Sequence, residues 1–334
     1  MNVFSDYHHS ALYHSLELLF EKRLNWNLYR PIGKEWAEQD FWRYSTQQDT
    51  INQYLEIPSD AKEKDGVYFV FNQRYKNYHK CLTLDRFFSM PIDIVIASVF
   101  PHELTFKRLC DLHPSKPKLI RQIGNFNEPV NLDICKNIMD SADFRTFSSY
   151  HNVIYYHQEF DLDIFHYEAP KETKKIRSLI NCLPHNDYYY LWEEFKNELK
   201  EFEWRMHGIL GEMIEDDEEK IAKTMRDSTF IWQVKGGNSE GYGFVIHQAF
   251  ALGRPIIVKS SLYKGKPAEK LIEDLKTCID LDLHSKQEAV NLIREYSKPE
   301  KHKQLCENAY KRFKEVVDFD KEFETIKKFL ENLK

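Results

Sequence analysis

The sequence predicts an α/β protein of two doubly wound domains, each a parallel sheet with helices packed on it. Three observations predict it. The chain has 334 residues, too long for one ordinary domain and suited to two of about 150. Short apolar runs alternate with amphipathic segments, the pattern of parallel strands joined by crossover helices. Glycine is scarce, at 11 residues, or about 3% against a typical usage of about 7%. Yet Gly236, Gly237, Gly241, Gly243 and Gly253 fall together between two strand-like runs.

In chain order, Val3-Phe4 reads as a first strand and Ser10 to Arg23 as a helix, with Leu12, Leu16, Leu19 and Phe20 at helical spacing. Asn27 to Tyr29 suits a second strand. Val67 to Phe71 and Ile92 to Phe100 are so apolar and β-branched that they are expected as central parallel strands. His102 to Leu112 follows as a helix, then Lys118 to Ile123 and Val153 to Tyr156 as strands. Residues 34 to 66 fit this pattern less well and read as an insertion.

The second half repeats the alternation. Strands are expected at Lys175 to Leu183, Phe202 to His207, Thr229 to Val234 and Pro255 to Val258. Helices are expected at Asp187 to Lys200, Glu218 to Met225 and Tyr242 to Leu252. From Ala268 onward the pattern reads as helical throughout, with breaks near Asp282, Lys298 and Asp318. The last helix carries Phe319, Phe323, Ile326, Leu330 and Leu333 at steps of three and four. The expected division is an N-terminal domain at 1–157, a C-terminal domain at 158–316, and a terminal helix at 317–334 that packs back on the first domain.

Composition narrows the function. A formal charge of −6 and a pI near 6.2 argue against a large nucleic-acid footprint, which needs a basic surface. Six dispersed cysteines without CxxC spacing read as reduced core residues rather than a metal knuckle. No signal-peptide pattern opens the chain and no run approaches 18 apolar residues, so the expectation is a cytoplasmic protein without membrane insertion.

The chemistry concentrates in Phe230 to Val258, FIWQVKGGNSEGYGFVIHQAFALGRPIIV. This is strand, glycine-rich loop, helix, tight turn, strand. Glycines at Gly236, Gly237, Gly241 and Gly243, with Asn238 and Ser239 between them, let backbone N–H groups approach a ligand. The following helix, beginning near Tyr242, presents its amides and positive dipole end, which suit an anion. Lys235 adds charge at the loop entrance, and Gly253 is expected to end the helix as its C′ residue. Glu240 sits inside this phosphate cradle, where its natural partner is a pair of sugar hydroxyls. Phosphate beside polyol describes a nucleotide sugar.

At these residues the chain resembles the retaining glycosyltransferases of family 4 (glycosyl transferases group 1), which have the GT-B fold. Their signature is Glu-Gly-Phe-Gly, a second Glu eight residues after the first, then Ala and Gly-x-Pro-Val-Ile. Here Glu240-Gly241-Tyr242-Gly243, Gln248-Ala249 and Gly253-Arg254-Pro255-Ile256-Ile257 take those places. The resemblance implies two facing Rossmann-like domains with a cleft between them, and transfer from a nucleotide diphosphate sugar with retention and without metal. It implies that Glu240 faces the transferred sugar and Gln248 the ribose, where Gln replaces the family's acid. The family's Arg and Lys for the diphosphate are missing from Asn181 to Asp187, so Lys235, or Arg205 and His207, are expected to stand in.

His8, His9 and His102 lie where the carboxyl ends of two first-domain strands should line the crevice. They are either acceptor-side groups or surface histidines. Asp6 reads as a helix cap. The acceptor is an unidentified glycan, lipid, protein, small molecule or modified DNA base. Asp161-Leu162-Asp163 matches a D-x-D metal pattern but falls in the expected linker, so no cofactor or metal is expected. Two other readings stand beside transfer: a nucleotide-sugar 2-epimerase on the same scaffold, and a non-catalytic nucleotide-sugar-binding subunit.

Overall fold

The computed structural model describes residues 1–6, 9–39, 56–98, 102–181, 183–208, 217–235 and 242–334. They form two compact units. The first comprises Met1–Glu159 with Phe319–Lys334, and the second Phe160–Asp318.

The described strands of the first unit are β1 (Asn2–Ser5), β2 (Asn27–Pro31), β3 (Lys62–Lys64), β4 (Val67–Asn72), β5 (Asn77–Leu82), β6 (Ile94–Ala97), β7 (Lys118–Ile123), β8 (Asn137–Asp140) and β9 (Asn152–Tyr155). They form one sheet in the order β3-β4-β5-β2-β1-β6-β7-β8-β9. Neighbours are parallel except in the β3–β4 and β4–β5 pairs. The order reverses between β1 and β6, which makes that pair the switch point of the unit. Helices α1 (Ser10–Glu17), α2 (Leu84–Ser89) and α3 (His102–Leu112) follow β1, β5 and β6. The helix expected as far as Arg23 turns π-helical over Leu18–Arg23.

Val67 to Phe71 is a correction. It forms β4, an antiparallel strand one place from the sheet edge, half-buried along most of its length. Its apolar run serves two partly covered faces, with Phe71 against Tyr78 on β5 at 5.2 Å between ring centroids.

The second unit carries β10 (Lys175–Ser178), β11 (Glu203–Met206), β12 (Phe230–Gln233), β13 (Ile256–Val258) and β14 (Cys278–Asp280), parallel throughout, in the order β11-β10-β12-β13-β14. Its switch point lies between β10 and β12. Helices α4 (Tyr189–Glu198), α5 (Glu218–Arg226), α6 (Phe244–Ala251), α7 (Lys286–Tyr296) and α8 (Pro299–Val316) complete it. β14 corrects the expectation of helix from Ala268 onward. Its three side chains are fully sequestered, and Asp280 is held by accepting from the amides of Ser260 and Asp282 at 3.0 Å each. Trp192, Trp204 and Trp232 meet edge to face at 4.8 to 5.8 Å in the core beneath β10 and β12.

The last helix, α9 (Phe319–Glu331), belongs to the first unit. Its Ile326, Phe329 and Leu330 join a core with Val3, Leu16, Ile94 and Ile120. Asn137 on β8 fixes the chain end: its Nδ2 donates to the Lys334 carbonyl at 3.1 Å, and its Oδ1 accepts from the Lys334 amide at 2.8 Å. The five described cysteines, Cys81, Cys110, Cys135, Cys278 and Cys306, are buried and unbridged. Burial pushes the Cys110 and Cys306 thiols up to about 12.

Candidate functional site

In the second unit the five strands end level. Ser178 pairs with both Met206 and Trp232, Gln233 with Val258, and Val258 with Asp280. One sheet edge therefore collects the residues that follow: His207 after β11, Lys235 after β12 and Lys259 after β13. His207 and Lys235 are half-buried there, following strands two places apart in the sheet. Gly208, at φ +137, brings the β11 end against the β10 end: a Cβ would stand 3.0 Å from Asn181 Cα.

β12 leads into Val234 and Lys235, and α6 begins on the far side of the glycine-rich segment. Glu240 and its neighbours Gly236, Gly237, Asn238, Ser239 and Gly241 lie outside the described residues, as does His8. The two flanks are well defined. Gly243 caps α6 at φ +74 and ψ +44, a left-handed conformation that favours glycine. A Cβ there would lie 2.8 Å from Ala268 Cβ. Tyr242 is buried and stacks on His247 at 4.0 Å, and His247 Nδ1 sits 3.0 Å from the Gly243 carbonyl. The first turn of α6 is half-exposed and carries no acidic residue, so the dipole end faces no carboxylate of its own helix.

Gln248 is 1% exposed on α6, and its Nε2 has no hydrogen-bond partner. Gly253 ends the helix at φ +65, with its hydrogen face against the Tyr167 ring. Arg254 is also structural. Its buried guanidinium donates to the carbonyls of Arg226, Glu168, Leu252 and Gly253 at 3.0 to 3.1 Å.

Arg205 is placed differently from Lys235. It lies on the edge strand β11 with Nε 2.6 Å from Glu203, which Arg177 also approaches at 2.9 Å. Against the cost of burial, these two guanidinium groups hold Glu203 below the usual carboxylate range. Sequence reasoning passed over Lys259 and Gln233. Lys259 pairs with Asp282 and lies 5.6 Å above the Tyr188 ring. Gln233 ends β12 at 3% exposure and donates through Nε2 to Tyr263 Oη at 3.2 Å. Only Gln233 carried a signal, as a polar residue in an apolar strand.

In the first unit, His9 is the N-cap of α1, its Nδ1 accepting from the Ala11 amide at 3.3 Å. Asp6 therefore does not cap that helix. Instead its Oδ1 accepts from the Ser98 amide at 2.6 Å and its Oδ2 meets His102 Nδ1 at 2.9 Å, across the β1–β6 switch point. His102 is 2% exposed. Ser98 Oγ continues to Gln122 Oε1 at 3.0 Å, and Gln122 to Tyr156. Arg121, wholly buried, is paired with Glu103 at 2.6 Å and Glu128 at 3.0 Å. Asp161 accepts from the Asp163 amide at 2.9 Å, turning the backbone where the second unit begins.

No family model matches the chain, and no curated protein matches it in sequence. Solved structures do match in shape. Anabaena HepE in complex with UDP superposes with a TM-score of 0.63 at 11% identity, covering 99% of this chain and 100% of that one. The fold is that of the GT-B glycosyltransferases. Within the GT-B fold, the sucrose-phosphate synthase of Thermosynechococcus elongatus gives a TM-score of 0.65 at 9% identity, over 100% and 99% of the two chains. An α-glucosyltransferase in complex with UDP and a 13-mer DNA containing an HMU base gives 0.62 at 11%, over 98% and 99%. No helix among the described residues is long and apolar enough to cross a membrane.

Proposed function

We propose that this protein is a glycosyltransferase that takes its sugar from a nucleotide diphosphate sugar held on the second unit. One observation carries the reading: β12 and α6 place Lys235 and the Gly243 cap on either side of a glycine-rich loop, at the sheet edge beside the β10–β12 switch point. Open α/β sheets bind ligands at the carboxyl ends of strands at such a point. The full-length likeness to GT-B structures holding UDP supports it.

In this reading the diphosphate meets the amides of Gly236, Gly237 and the start of α6, with Lys235 balancing its charge. These groups stabilise the negative charge that grows as the nucleotide leaves. Glu240 accepts from hydroxyls of the transferred sugar, and Gln248 from or to those of the ribose. His207, at the end of β11 two places along the sheet, adds a second polar group, whereas Arg205 serves Glu203. Transfer proceeds with retention and without metal. The acceptor lies on the first unit, where His9 and the Asp6–His102 pair flank the β1–β6 switch point. It is a hydroxyl-bearing glycan, lipid, protein, small molecule or modified base.

The test joins binding to turnover. A thermal-shift screen against UDP-, GDP-, ADP- and dTDP-sugars identifies the donor, and Glu240→Ala is then assayed with it. The variant should lose transfer by two orders of magnitude or more, on the order of 10² for one group acting on the reacting centre, with the melting temperature unchanged. Full activity removes Glu240 from the mechanism. Epimerisation or hydrolysis without any acceptor supports the epimerase instead.

A further inference from the structure

We infer that Gln233 is a second hydroxyl-reading residue of the donor site, working with Gln248, and that the pair makes the site selective for a ligand hydroxyl over a deoxy position. The inference rests on the nucleotide-sugar reading of the β12–α6 junction and adds to it a residue and a chemical preference.

Gln233 is the last residue of β12, and its side chain is 3% exposed. The Nε2 group is used, donating to Tyr263 Oη at 3.2 Å. The Oε1 atom is buried and accepts no hydrogen bond. Tyr263 in turn lies against the cap of α6, where a Cβ on Gly243 would meet its ring at 3.4 Å. On α6 itself, five residues past that cap, Gln248 is 1% exposed and its Nε2 donates to nothing. β12 and α6 thus each carry a buried carboxamide with an unpaired atom.

Buried polar groups are paired in the great majority of cases, and an unpaired one costs about 1–3 kcal/mol. One such group stands on each of the two elements that flank the segment carrying Glu240, where a bound ligand would supply the missing partners. The unused atoms are an acceptor on Gln233 and a donor on Gln248. A phosphate oxygen only accepts and cannot serve Gln233 Oε1, and an ammonium only donates and cannot serve Gln248 Nε2. A hydroxyl does both. An O–H group matches amide oxygen and nitrogen alike, so a hydroxyl fits either amide in either orientation, whereas the exclusion of phosphate rests on the orientation in which Gln233 Nε2 donates to Tyr263.

The hydroxyl belongs either to the ribose or to the transferred sugar. A site that hydrogen-bonds a hydroxyl rejects the deoxy analogue strongly, because its own buried groups are then left unpaired.

The experiment uses the full chain and isothermal titration. UDP, GDP and ADP are titrated first. The best binder is compared with its 2′-deoxy counterpart and with its glucose conjugate, for wild type, Gln233→Met and Gln248→Met. Each variant is first checked for a native circular-dichroism spectrum and a cooperative melt. If the ribose is read, wild type should prefer the ribonucleotide at least tenfold, and Gln233→Met should lose most of that preference. If the transferred sugar is read, Gln233→Met should bind the diphosphate as wild type does and lose at least tenfold towards the glucose conjugate. Either result supports the inference, and Gln233→Glu, which restores an acceptor, should recover part of the loss. Should Gln233→Met bind all three ligands as tightly as wild type, the unpaired oxygen serves an internal water and the inference falls alone. Should wild type bind no nucleotide at all, the reading of the junction falls and takes the inference with it.

Discussion

Gly243 carries a requirement that no other residue meets easily. At φ +74 with Ala268 Cβ 2.8 Å from the position of a new Cβ, Gly243→Ala adds both backbone strain and a clash. We expect a loss of about 1–3 kcal/mol, read as a lower denaturation midpoint, together with weaker nucleotide binding. Arg254 gives a larger effect by another route. Its guanidinium serves four carbonyls inside the second unit, so Arg254→Met strands them and should cost about 3–5 kcal/mol without touching the ligand. His302 supplies a pH dependence. Burial lowers its pKa, and the nearby Arg254 lowers it further, against the hydrogen bond to the Thr229 carbonyl. The unfolded chain therefore binds a proton that the folded one refuses. The contribution is present above the unfolded value of about 6.5 and is lost as pH falls below it. His302→Gln should flatten that part of the stability-against-pH curve in urea titrations from pH 7 to 5.

At the scale of elements, legibility followed burial pattern. Ile94 to Ala97 is buried on both faces and reads as a central strand from its β-branched run. The stripe of α9 was equally plain, because Phe323, Ile326, Leu330 and Leu333 face one core at helical spacing. β4 misled because an apolar run records contact, and an antiparallel near-edge strand with aromatic neighbours makes contact on two half-covered faces. β8 and β14 escaped notice for the opposite reason. Asn137, Asp140 and Asp280 are polar yet buried, and only the folded chain supplies the amides and carbonyls that satisfy them. The glycine loop was readable from its own residues, whereas the pairing of Asp6 with His102 spans 96 positions and no local spacing announces it. Gln233 stood in plain view as a polar end to FIWQ, but its neighbour Tyr263 is brought by a separate segment.

Across the whole molecule, the chain leaves its first unit at Glu159 and returns at Phe319. Removing 319–334 takes Ile326, Phe329 and Leu330 from the first unit's core, each worth about 1.5–3 kcal/mol of burial, and frees Asn137 from the chain end. We expect the truncated chain to lose the cooperative unfolding of residues 1–159 while 160–318 keeps its own, resolved segment by segment by hydrogen exchange. The same method tests the central claim most directly. Amide exchange is followed by mass spectrometry with and without a saturating nucleotide diphosphate sugar. The account predicts slowed exchange concentrated in residues 234–248, where the β12 end, the glycine loop and the first turn of α6 would grip the diphosphate. Protection confined to the β1–β6 switch point of the first unit, with 234–248 unchanged, would contradict it.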